Sequence, residues 1–131
     1  MKILIVDDDK LILQAISHSL KNVGYETSIA EDSLKALEII QKEKIDLIIT
    51  DLMMPNMSGL GLLNLLKQFY FNNIPVIIIS SLDKGDLIVC SLGLGASEFV
   101  IKPIDFSKLL LLVKKYEKKK LNDIFFNGYS N

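Results

Sequence analysis

Asp7-Asp8-Asp9 follows the apolar run "ILIV" at 3–6, and Asp51 follows "LIIT" at 47–50. Ser80-Ser81 follows "VIII" at 76–79, and Lys102-Pro103 follows "FVI" at 99–101. An acid at the end of an apolar run adds nothing to a core, so it either shapes a turn or carries chemistry. Three carboxylates brought together repel one another unless a cation sits among them, and one lysine ammonium is too little for three. A hard divalent ion with oxygen ligands, such as Mg2+, is the natural complement. Mg2+ favours few carboxylates, retained waters and a phosphate oxygen. The Ser80 hydroxyl and the Lys102 ammonium both suit phosphoryl oxygens. The set therefore reads as carboxylates, a metal and a phosphoryl group. Asp51 is placed to be either a nucleophile or a further metal ligand.

That chemistry requires the four run ends to meet. Short runs rich in Ile and Val lie at 3–6, 27–30, 47–50, 76–80 and 99–101, and read as strands buried on both faces. Between and after them, segments near 10–23, 33–42, 58–70, 84–93 and 106–120 have helical period. The expected inward faces are Ile12, Ile16, Leu20 and Val23, then Leu34, Leu37 and Ile40, then Leu62, Leu63, Leu66 and Phe69. In the last helix Leu109, Leu112, Val113 and Tyr116 form the expected stripe. Asp9, Asp32, Ser58 and Asp83 are the expected caps of the first four helices. Strands alternating with helices predict a parallel (βα)5 sheet, doubly wound and flavodoxin-like, in strand order 2-1-3-4-5. In that order the first and third strands are neighbours about 4.8 Å apart, which sets Asp7 or Asp8 beside Asp51. Ser80 then flanks Asp51, with Lys102 one strand further out. Ligands of open α/β sheets bind along this edge, where the strand order reverses.

The chain has 131 residues and a net charge of −1, enough for one domain with a core and too little charge to favour nucleic acid or an anionic surface. Its longest apolar run, "LLLLV" at 109–113, is far below the ~20 residues of a membrane span. A single cysteine, Cys90, excludes an internal disulfide and fits a reducing cytoplasm. Cys90 lies in an apolar helical segment and is expected to pack in the core, whereas His18 is expected at the surface.

Taken together, "ILIVDDD", "DLMMPNMSG", "PVIIISS" and "GASEFVIKP" resemble the receiver domain of two-component response regulators over about 1–120, with 121–131 left as a tail or the start of a linker. The resemblance implies a phosphoprotein in signal transduction, a switch rather than a turnover enzyme. It implies Asp51 as phosphoacceptor and Asp7 and Asp8 as Mg2+ ligands, with Asp51 itself and the Met53 backbone carbonyl completing the set. It also implies Ser80 and Lys102 as groups that engage the phosphoryl oxygens, Ser80 and Phe99 as the switch pair, and a cis Lys102–Pro103 bond. The implied partner is a sensor histidine kinase or a phosphotransfer protein. Two departures stand out. Ser58-Gly59 replaces the family's frequent Asp-Gly, and Phe99 lacks the hydroxyl of the commoner Tyr.

Three other functions compete. Asp7 and Asp9 form a D-x-D pattern like that of haloacid-dehalogenase-like phosphatases, but no later acidic pair follows and there is no room for a cap. A flavin or nucleotide binder of the same fold would carry a glycine-rich or hydroxyl-rich loop after the first strand, where this chain has acids. A degenerate receiver that only binds partners would not need Asp51, Ser80 and Lys102 together. Two further expectations concern the surface. Met53 and Leu82, two positions after Asp51 and Ser80, offer no hydrogen bond to orient a water, which predicts slow self-dephosphorylation. Leu110 and Leu111, with Leu87, Cys90 and Leu94 beyond what Ile88 and Leu92 would bury, are surplus to the core. They predict a partner or homodimer face formed by the fourth helix, fifth strand and fifth helix.

Overall fold

The computed structural model describes residues 1–69 and 73–129. Strands β1 (Lys2–Val6), β2 (Glu26–Ala30), β3 (Leu47–Asp51), β4 (Val76–Ser80) and β5 (Glu98–Ile101) form one parallel sheet in the order β2-β1-β3-β4-β5. Helices α1 (Lys10–Asn22), α2 (Ser33–Lys42), α3 (Gly59–Gln68), α4 (Gly85–Gly93) and α5 (Phe106–Tyr129) alternate with the strands. The expected flavodoxin-like order is the one observed.

Alternate strand residues feed two cores, as the period of two requires. Leu4, Val6, Ile48, Val76 and Ile78 meet Ala36 and Ile40 of α2 and Leu62, Leu63 and Leu66 of α3. Ile3, Ile5, Leu47, Ile49, Ile77 and Ile79 meet Leu13, Ile16 and Leu20 of α1 and Leu109, Val113 and Tyr116 of α5. The central strands β3 and β4 are buried along their whole length and are apolar on both faces up to Ile49 and Ile79, turning polar only at their C-terminal ends.

Three expected caps are present. The Asp9 carboxylate accepts from the N–H groups of Leu11 and Ile12, Asp32 from Lys35 and Ser58 from Gly61. The fourth is not. Helix α4 begins at Gly85, so Lys84 occupies the cap position, where an ammonium has no lone pair to offer, and no side chain closes that end. The inward faces also turn by about a residue from those expected. Leu34, Val23 and Phe69 are exposed, while Ser33 and Ala36 are buried on α2.

On α4 the buried residue is Ser91, with Leu87 packed against the core; Leu92 and Leu94 face solvent. Cys90 is exposed, not buried in the core as expected, because it lies outside the Leu87–Ser91 stripe. On α5, Leu110 and Leu112 pack against the second core and only Leu111 of the leucine run is strongly exposed, at 66%. That helix runs nine residues past its expected end at 120, anchored by ion pairs Lys115–Glu98 and Lys120–Asp46 and by the Tyr116 hydroxyl, which donates to Glu98. The expected last residue of α3, Tyr70, and residues 130–131 of the tail lie outside the described residues.

Candidate functional site

Register assembles the site. Val6 pairs with Thr50, so the next residues on the two strands, Asp7 and Asp51, stand side by side at the C-terminal edge. Asp7 is fully buried, Asp51 is 6% exposed and Asp8 reaches solvent. One oxygen from each of Asp7, Asp8 and Asp51 lies within 4.8 Å of the others. The N–H of Asp9 donates to Asp7 Oδ1 at 2.8 Å, which orients that carboxylate from the start of α1.

Lys102 does not stay one strand out, as the strand order alone suggests. Its Nζ crosses to the acids and lies 3.2 Å from Asp7 Oδ2 and 3.4 Å from Asp51 Oδ1. The Lys102 N–H donates to the Ser80 carbonyl at 2.7 Å, and the Lys102–Pro103 peptide is cis, as the resemblance implied. The backbone is thus tied to β4 while the four-carbon stem spans the edge. Burial, with Asp7 beside it, pushes the Asp51 carboxyl above its ordinary pKa, and the Lys102 ammonium pulls it partly back. Burial opposes the Lys102 charge, but Asp51 and Asp7 outweigh it and raise that pKa. Asp7 and Asp51 therefore share one cation, with the Asp8 carboxylate beside them. The donor set is all oxygen and short of positive charge, which fits a hard divalent ion.

Ser80 is buried one position beyond Ile79, which pairs with Asp51. Its hydroxyl oxygen accepts from the Leu82 N–H at 3.0 Å. Phe99 pairs with Ile78 and lies half-buried against the first core, against which Leu87 of α4 also packs. Met53 and Leu82 are 60% and 36% exposed. His18 is exposed on α1, as expected.

Gly59 is a site residue that sequence reasoning quoted in a motif without giving it a role. A Cβ there would lie 2.3 Å from the Asp51 carbonyl oxygen and 3.0 Å from Leu52 Cα, so only glycine lets α3 begin this close to the acid. The signal available was a glycine directly after a capping serine. Ser33 was missed altogether. Its hydroxyl donates to the Met57 carbonyl at 2.9 Å, from α2 to the loop that follows Asp51.

Among known proteins, the chain matches the family model of the response regulator receiver domain over residues 3–114. It is 38% identical over 121 residues to sporulation initiation phosphotransferase F of Bacillus subtilis, covering 92% of this chain and 97% of that protein. It is 30% identical over 114 residues to response regulator MprA of Mycobacterium leprae, covering 87% of this chain and 50% of the relative, so it spans half of that protein's length. The solved receiver domain of Francisella response regulator 1452 is similar with a TM-score of 0.86 and 34% identity, over 91% of this chain and 98% of that one.

Proposed function

This chain belongs to the response regulator receiver domains, and from that premise we propose that Asp51 is its phosphoacceptor and that Asp7, Asp8, Asp51 and the Met53 carbonyl hold its Mg2+. Receiver domains are signalling switches of two-component systems, and they bind Mg2+ at an acidic pocket. The observation that carries the assignment is the Lys102 ammonium between two buried acids, 3.2 Å from Asp7 and 3.4 Å from Asp51, at the edge where the strand order reverses.

In the proposed reaction an Asp51 carboxylate oxygen forms a bond to phosphorus. The P–N bond of a phosphohistidine, or the P–O bond of acetyl phosphate, breaks with its electron pair left on the donor. Mg2+ held by Asp7, Asp8, Asp51 and the Met53 carbonyl would supply neutralisation of charge on the transferring oxygens. Lys102 is within reach of the same charge, and Asp7 keeps the ammonium aimed at Asp51. The donor is a sensor histidine kinase or a phosphotransfer protein, and the chain itself turns over no substrate. The domain proper covers 1–120, and 121–131 are a tail or the start of a linker, of which 121–129 continue α5. No helix among the described residues is long and apolar enough to cross a membrane, and a cytoplasmic site of action fits the kinase partner.

The output would pass through Ser80. Turning its hydroxyl towards a phosphoryl group on Asp51 would release the Leu82 N–H and loosen the β4–α4 loop. Phe99, half-buried against the same core as Leu87, would follow. The surface so reshaped carries Val89 and Leu92 of α4, Leu94 just after it, Ile101 of β5 and Leu111 of α5, all exposed, and it suits a target protein or a second copy. Apolar Met53 and Leu82 at the rim leave an attacking water unoriented, which gives a long-lived phosphoryl group.

The test is intact-protein mass spectrometry after acetyl phosphate with and without Mg2+. One added phosphate that needs Mg2+ and disappears in Asp51→Asn is the expected result. Undiminished labelling of that variant would overturn the assignment.

A further inference from the structure

The loop from Leu52 to Ser58 joins the proposed phosphoacceptor to α3 and includes the Met53 carbonyl. Its base is closed by the backbone. The Gly59 N–H donates to the Leu52 carbonyl at 2.8 Å, and the Leu52 N–H to the Ile79 carbonyl at 3.0 Å. Its far side has no such strand to lean on. There Met53, Pro55 and Asn56 are exposed, Asn56 adopts a positive φ of 71°, and the Met57 N–H folds back onto the Pro55 carbonyl at 2.9 Å. The chain could pass through this stretch by many routes, because exposed loop backbone is held only by the bonds it makes.

One bond ties it to another element. Ser33, 1% exposed at the first position of α2, donates its hydroxyl to the Met57 carbonyl at 2.9 Å, across 24 residues of sequence. Ser33 is itself fixed. Asp32 before it caps α2, and Ala36 and Ile40 on the same helix are buried in the first core. The Met57 side chain packs against that core too, so backbone and side chain of this residue are both anchored. A serine hydroxyl on a helix start would ordinarily serve its own helix or water. Here it is buried and spent on a distant loop.

We propose that Ser33 is a positioning residue for the metal: by pinning Met57 it holds the 52–58 loop so that the Met53 carbonyl is presented beside Asp7, Asp8 and Asp51. Loss of the hydroxyl leaves the three carboxylates in place, because they sit on strand ends and at the start of α1 and do not depend on the loop. It frees only the carbonyl that the loop carries. Outer partners that orient a ligand commonly contribute ten-fold or more to affinity. The inference rests on the assignment of the metal site made above.

The experiment is a Mn2+ titration followed by loss of the free-ion electron paramagnetic resonance signal, with Mg2+ as competitor. It compares the wild type with Ser33→Ala, Ser33→Gly and a control, Ser17→Ala. The control removes another largely buried serine hydrogen bond, Ser17 to Thr27 at 2.7 Å between α1 and β2, remote from the loop. Thermal unfolding of each variant checks that it is folded. The expected result is about ten-fold weaker binding of Mn2+ and Mg2+ in both Ser33 variants, with the wild-type affinity kept in Ser17→Ala despite a similar loss of thermal stability. Wild-type affinity in the Ser33 variants would overturn the positioning role. Equal weakening in Ser17→Ala would also overturn it, by reducing the effect to general stability. No binding by the wild type itself would instead overturn the metal site on which the inference rests.

Discussion

Helices α3 and α4 each start at a glycine after a strand that ends at the site, and the two starts are built in opposite ways. Gly59 opens α3 because nothing larger fits, with the Asp51 carbonyl 2.3 Å from where a Cβ would stand. Ser58 caps that end, and Leu62, Leu63 and Leu66 are fully buried beneath it. Gly85 and Gly93 bound α4 with nothing within 4 Å of either Cβ position. No side chain caps α4, and residues 81–86 before and at its start are all exposed. Glycine where space does not demand it only weakens a helix. The contrast divides the molecule by task. The α1–α3 side is capped and closely packed around the acids, whereas the α4 side is uncapped and largely exposed, which suits the switch proposed at Ser80.

Breaking the closely packed side should have the largest effect. Gly59→Ala forces a methyl into backbone and is expected to cost roughly 1–3 kcal/mol and to lower phosphate incorporation with it. Denaturant unfolding beside acetyl phosphate labelling measures both, and unchanged stability would show that the close approach is not needed.

A smaller effect comes from charge within the closely packed side. The Asp51 carboxyl is held above its unfolded value of 3.8. The folded state therefore binds the extra proton, and the ionised carboxylate costs stability once pH rises through the raised value. Asp51→Asn, which cannot ionise, should be more stable than wild type at neutral pH. The advantage should shrink as pH falls towards 3.8 and below, where the wild type also carries its proton. Mg2+ should stabilise the wild type and narrow the neutral-pH gap. A gap that widens in acid would contradict the assigned direction of the shift.

The uncapped side gives the smallest change in stability. Gly93→Ala has open space and should gain about 0.5–1 kcal/mol. The sharper expectation is functional: a firmer α4 should respond less to phosphorylation, read as a smaller change in binding of a partner or in self-association. A destabilised Gly93→Ala would mean that the glycine is there for packing after all.

The same division explains what could be read in the residues alone. Strand order, the cis Lys102–Pro103 bond and the meeting of Asp7, Asp8 and Asp51 follow from run ends and a resemblance, since a parallel sheet leaves one edge for them. The caps Asp9, Asp32 and Ser58 are local and were legible for that reason. Asp83 failed because a shift of one residue in the start of α4 moves Lys84 into the cap. Cys90 failed because "LIVCSL" is apolar almost throughout, so its pattern does not say which stripe faces inward. The reach of Lys102 to Asp7 spans 95 residues, and that of Ser33 to Met57 spans 24. No local pattern encodes either contact.

The division is tested most directly by amide hydrogen exchange with and without Mg2+ and beryllofluoride, the latter a mimic of the phosphoryl group proposed on Asp51. Without them the amides of 81–93 should exchange fastest among the helical segments of 1–120. On binding, the change in exchange should concentrate in 81–93 and in β5, with α2 and the body of α3 nearly unaltered. Equal changes in α2, α3 and α4, or none in 81–93, would contradict the account.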